Sequence, residues 1–215
     1  MPRLVLPLAM AALLLAVAAP AQAQGLPNPL GLHGFNLGMT LAEVRGQKFP
    51  GPAAGPAATK AKLICSGDGL SKADDIALLP GEPLREIGVK GCRFFDSAGD
   101  GKRNVPLKVG GRDAEVTFLV TPKSDDPAVS ERLYLILAKA GPTDFDDLVA
   151  AYTAQLGPPN VRLGQLKIWQ NGQAALMINA EPSKSSSVAY VDKALSQMVT
   201  ASTDAKAKPG TDKKQ

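Results

Sequence analysis

The sequence predicts an α+β fold: one or more antiparallel sheets with helices packed on one face. Three observations support this. Apolar residues recur at helical spacing around residues 37–44 and 145–156, but alternate at period two in most of the chain between and after them. The strand-like runs follow one another without intervening helices, which favours hairpins over parallel crossovers. Two dipeptides, Gly110-Gly111 and Asn171-Gly172, stand between such runs where tight hairpin turns belong.

The chain opens MPRLVLPLAMAALLLAVAAPAQAQG. Arg3 precedes an apolar run from Leu4 to Ala19, then the small-x-small pattern Ala21-Gln22-Ala23. This is the layout of a secretory signal peptide over residues 1–23, and the run falls short of the ~20 residues a spanning helix needs. No cysteine stands at the cleavage point to accept a lipid. The expected location is therefore the periplasm or the exterior, with no membrane anchor left after cleavage. Residues 24–34 read as a flexible segment ahead of an α+β domain over 35–203.

GFNLGMTLAEVR, residues 34–45, reads as a helix start. Thr40 and Glu43 have the spacing of a capping box, Met39 and Val44 that of a hydrophobic staple, and Leu37, Leu41 and Val44 form one stripe. PGPAAGPAA, residues 50–58, is a loop by composition. Strands are predicted at 60–66, 88–95, 113–121 and 131–138, the last apolar on both faces as a central strand would be. Residues 143–157 form the clearest helix, with Thr143 as N-cap, Asp144, Asp146 and Asp147 at the positive end of its dipole, and Gly157-Pro158-Pro159 as its stop. Strands at 166–170, 173–180 and 186–191 follow, and Asp192 caps a last helix through Leu195, Met198 and Val199. The helix-then-strands order occurs twice, which raises a degenerate duplication with halves 35–140 and 141–203.

Cys65 and Cys92 are the only cysteines. In an oxidising compartment an even pair predicts one disulfide, contributing roughly 3–4 kcal/mol in the chain-entropy picture. The net charge of +4 is local: without Arg3 and the Lys-rich tail, residues 204–215, the chain holds 19 basic and 18 acidic residues. That tail has nothing apolar to bury and is expected to be disordered. No basic patch interleaved with aromatics points to nucleic acid.

Candidate chemistry is sparse. His33 is the only histidine and lies in GLPNPLGLHG, a poor place for a fixed catalytic base. No nucleophile-elbow, phosphate-loop or zinc-helix motif is present. DSAGDG matches a calcium loop at Asp96, Asp100 and Gly101, but Ala98 and Leu107 stand where ligands are required. Helix-dipole pairing accounts for the three aspartates at 144–147 without a metal, so neither metal nor cofactor is expected. Trp169, the only tryptophan, points away from the side of Ile168 and is a candidate partner contact if that face is open.

G-M-T-x-x-E-V at 38–44, and L-G-P-P at 156–159 before a W-Q-N-G hairpin, resemble small exported bacterial domains of the SmpA/OmlA type. Those are related in fold to the β-lactamase-inhibitor-protein architecture. The resemblance implies a non-catalytic protein that binds other proteins, and it carries over no functional residue. The leading expectation is a periplasmic binding protein contacting another cell-envelope protein. The alternatives are an envelope hydrolase acting on glycan or peptide, and a secreted enzyme inhibitor presenting SGDGLSKADD within the Cys65–Cys92 segment. Oligomeric state is left open.

Overall fold

The structure, a computed structural model, describes residues 25–51, 61–96, 103–181 and 185–207. The expected signal peptide, most of the 50–58 loop, most of DSAGDG and the end of the Lys-rich tail lie outside them. In chain order the elements are β1 (Gly31–Leu32), β2 (Phe35–Asn36), α1 (Leu41–Gly46), β3 (Ala61–Cys65), α2 (Lys72–Ala77), α3 (Glu82–Glu86), β4 (Lys90–Asp96), β5 (Arg103–Asn104), β6 (Leu107–Val109), β7 (Arg112–Val120) and β8 (Leu133–Ala140). Then come α4 (Phe145–Leu156), β9 (Val161–Leu163), β10 (Leu166–Gln170), β11 (Ala174–Glu181), β12 (Ser185–Asp192) and α5 (Lys193–Ala207).

The strands make one ten-stranded sheet in the order β3-β4-β7-β8-β12-β11-β10-β9, with β5 added to β4 and β6 to β7; β1 and β2 form a separate ribbon. Every pairing is antiparallel. The seam between the earlier and later strands is β8 against β12, so a single sheet runs through both. Cys65 and Cys92 are direct cross-strand partners on β3 and β4 and are joined as a disulfide.

Helices cover both faces of this sheet, which corrects the one-face expectation. One core is roofed by α1, α4 and the β1–β2 ribbon. Phe35 stacks on Phe118 with ring centroids 4.1 Å apart, and Val44, Leu148, Tyr152 and Trp169 belong to the same cluster. The second core lies on the reverse face, where Leu195 and Val199 of α5 meet Leu79, Val89, Leu119 and Tyr134. Strand β7 supplies both: Val116, Phe118 and Val120 point one way, Leu119 the other. A register shift opposite Leu119 and Val120 leaves Tyr134 as the extra residue of β8, turned into the second core. Gly91 lets the α2–α3 segment lie against β4, since a Cβ there would sit 2.4 Å from the Leu78 carbonyl oxygen.

Local signals mostly act as expected, with four differences. The capping box of α1 forms: the Glu43 N–H donates to Thr40 Oγ1 (3.2 Å) and the Thr40 N–H to Glu43 Oε2 (2.7 Å). That backbone donor, then the Thr40 hydroxyl, holds the Glu43 carboxyl below its ordinary range. In α4, however, Asp144 rather than Thr143 takes the N-cap position, and its carboxylate accepts from the Gly141 N–H instead (2.9 Å). The second hairpin closes one residue late, with the Asn171 N–H donating to the Ala174 carbonyl, because Asn171 Oδ1 captures the Gln173 and Ala174 N–H groups. Segment 24–34 is not simply flexible: Leu30 and Leu32 are buried in the first core. Helix α5 runs to Ala207, so the start of the expected tail is helical; its N-terminal cap, Leu195 N–H on Asp192 Oδ1, is as expected (3.0 Å).

Candidate functional site

Among the described residues, α5 touches the sheet at β8 and β12, and no reverse-face residue of β9, β10 or β11 belongs to a core cluster. Side chains alternate along a strand, so the partners opposite the first core form cross-strand rows on the other side. One row runs Leu137, Ala189, Met177, Ile168, Val161 from β8 to β9, each residue registered on the next. Beside it runs Lys139, Ser187, Asn179, Leu166, Leu163. At about 4.8 Å per strand the first row is roughly 20 Å wide.

The five residues of that first row are half-buried and belong to neither core cluster. Leu163 at the sheet edge is 64% exposed. Helix α5 leaves β12 and leans toward Leu119, Tyr134 and α3, away from this strip. The result is an apolar band with polar and charged neighbours (Lys139, Ser187, Asn179), the build of a surface that meets another surface.

Trp169 is not part of that band. It is 2% exposed under α4, and its indole N–H donates to the Gly157 carbonyl (2.7 Å). The sequence pattern placed Trp169 and Ile168 on opposite faces, and the open face turns out to be that of Ile168. The Cys65–Cys92 segment is folded rather than a projecting loop. Ser71 caps α2 through the Asp74 N–H (3.1 Å), and Asp68 accepts from the Cys65 N–H (3.1 Å) and from Arg45 (2.7 Å).

Among the described residues, two of the concavities lie away from that band. A cleft of about 300 Å³ opens beside α4, bordered by the β1–β2 ribbon and the β6–β7 turn. Tyr152 and Tyr190 line it, and their hydroxyls are hydrogen-bonded to each other. Burial raises the pKa of both phenols, Tyr190 well above its ordinary value. His33 stands at the rim with Nε2–H donating to the Lys108 carbonyl (2.5 Å), so the imidazole is pinned and that nitrogen is engaged. Among the described residues, the lining contains no carboxylate, serine, threonine or cysteine. A shallower groove of about 320 Å³ carries Asp125 and Glu131, with Glu131 ion-paired to Lys90 (3.0 Å) and Arg132 bonded to the Pro127 carbonyl (2.8 Å). The groove's hydroxyls are engaged locally: Thr40 Oγ1 donates to Glu43, Ser130 Oγ accepts from the Ser124 N–H, and Ser124 Oγ accepts from the Asp126 N–H, so among the described residues neither concavity bonds a nucleophile to a free, oriented base.

The acidic first turn of α4 meets one cation: Arg112 pairs with Asp147 and lies 3.9 Å from Asp144. Asp96 ends β4, 3% exposed and 3.7 Å from Arg103; the rest of DSAGDG lies outside the described residues, and Leu107, at the motif's twelfth position, is buried in the first core. Among the described residues, no three His, Cys, Asp or Glu side chains converge as a metal site. No described helix is long and apolar enough to cross a membrane. Compared with known proteins, the chain matches no family model, no curated protein and no solved structure.

Proposed function

We propose that this chain is a non-catalytic cell-envelope protein that binds another envelope protein through the open face of β8-β12-β11-β10-β9. The single observation that carries this reading is the Leu137–Val161 row: apolar side chains aligned across five strands, outside both cores. An apolar strip of that width costs solubility unless something covers it. The periplasmic or secreted setting rests on the signal-peptide layout and on the Cys65–Cys92 disulfide. The resemblance to SmpA/OmlA-type domains supports the binding role, and the helix-led halves on one sheet support the α+β reading.

A photo-crosslinking residue at Met177 tests it in cells. It should capture one discrete partner, and the same residue at Gln197, exposed on α5, should not. Ile168→Lys, beside Met177 on the open face, should abolish the capture while the protein stays folded. Equal capture from both sites, or capture that survives Ile168→Lys, overturns the reading.

A further inference from the structure

The Tyr152–Tyr190 cleft lies on the face opposite the open strip, and docking there does not account for it. Five separate segments border it: Leu30 to His33 of the ribbon, Lys108 to Gly111 of the β6–β7 turn, the last turns of α4, and Leu176 of β11 with Tyr190 of β12 as floor. The gap exists because the walls lack bulk where they face each other. Gly31, Gly110, Gly111 and Ala151 all line it. Gly110 sits at φ +54, and a Cβ there would press to 3.0 Å on Leu148, so the turn stays bare. A volume of about 300 Å³ is at the lower end for ligand pockets. At ~30 Å³ per water-sized unit it accepts on the order of ten non-hydrogen atoms.

The chemistry of the lining narrows the occupant. Leu30, Leu32, Leu156 and Leu176 make the walls apolar. The two phenols hold two protons, and their mutual hydrogen bond uses one, which leaves one buried donor for an acceptor on the occupant; the Gln155 amide, which also lines the cleft, is exposed. Among the described residues, no carboxylate lines the cleft to balance a cation. The lining ammonium, Lys108, is already paired with Asp113 (2.9 Å), and a buried anion without a counterion is costly. We infer that the cleft binds a small, uncharged, mostly apolar molecule carrying one hydrogen-bond acceptor of the ketone or ester class, held by the free Tyr152–Tyr190 proton.

Three probes of nearly equal size test this on the purified protein: 4-methylacetophenone, 4-methylbenzoate and 4-ethyltoluene. The readouts are backbone amide shifts at Gly110, Ala151 and Leu176, and the fluorescence of Trp169, whose ring centre is 6.3 Å from that of Tyr152. The ketone should saturate these signals, with the carboxylate and the hydrocarbon each roughly tenfold weaker. The double change Tyr152→Phe, Tyr190→Phe should lower ketone affinity to that of the hydrocarbon and leave hydrocarbon binding unchanged. Ala151→Trp should block all three. Met177→Lys, on the opposite face, should leave ketone binding intact, which separates this site from the docking strip. Absence of saturable shifts at the cleft, or equal affinity for ketone and carboxylate in the unmodified protein, overturns the inference. Because that ranking needs no variant, poor folding of a mutant leaves the test intact.

Discussion

The earlier and later strands share one sheet but are covered differently. Strands β4 and β7 are covered on both faces: Phe118 packs under the ribbon and α1, and Leu119 under the reverse-face helices. Arg93 helps close that reverse face. Its Nε donates to Thr117 Oγ1 (2.6 Å), a terminal nitrogen reaches the Ala77 carbonyl at the end of α2 (3.0 Å), and Glu115 pairs with it (2.6 Å). Burial lowers the Arg93 pKa, partly offset by Glu115. Strands β9 to β11 have α4 on one side and, among the described residues, no core cluster on the other. The first region is constrained mainly by packing, whereas the second has a face whose residues little else in the fold depends on.

Substitutions can break or sharpen that contrast. The largest effect belongs to the doubly covered region: Phe118→Ala, at a fully buried ring stacked on Phe35, should destabilise by about 3–5 kcal/mol in denaturant unfolding. Replacing both Cys65 and Cys92 by Ala should cost roughly 3–4 kcal/mol by the same measurement, through the chain of 27 residues they span. An alkaline titration should report on the buried phenols. Burial pushes the Tyr134 hydroxyl up to about 12, and Tyr152 and Tyr190 also rise. Unfolded phenols ionise near pH 10, so the stability they confer is complete below about pH 10. It is lost as the pH climbs toward 12, by roughly 2–3 kcal/mol for Tyr134 alone. The smallest change belongs to the open face: Ile168→Lys should move stability by only about 0.5 kcal/mol, yet remove partner capture by the crosslinker at Met177. If Ile168→Lys instead destabilises as much as Phe118→Ala, the two regions are not different in kind.

Much of this layout is legible in the residues because local rules and tertiary packing agree. Alternation in DAEVTFLVT and QAALMINA, and the Thr40–Glu43 box, mark their elements directly. Helices α2 and α3 are short, and the turn residues around Gly67, Gly69 and Gly81 mask them. The signals that would reveal them are Ser71 three residues before Asp74, and Pro83 in the first turn of α3. The two-sided roofing has a cue in β8, LYLILAKA, apolar on both faces, but the cue does not say which helices cover it. The open face is half legible. LKIWQ shows that Ile168 and Trp169 point apart, but only the direction in which α5 leaves β12 decides which of them stays uncovered. The cleft has no local signature at all, since Tyr152 and Tyr190 lie 38 residues apart and meet through the sheet order.

The β8–β12 seam also constrains the timing of assembly. A chain emerging from its amino terminus completes β8 well before residues 185–192 follow. Through that interval β8 presents a bare row of amide and carbonyl groups along one margin, flanked by Leu135 and Leu137. Such a margin recruits any neighbouring extended segment. The terminal strand therefore acts as a lock, and a shortened product ending after α4 would be a seed for clumping rather than a smaller working protein.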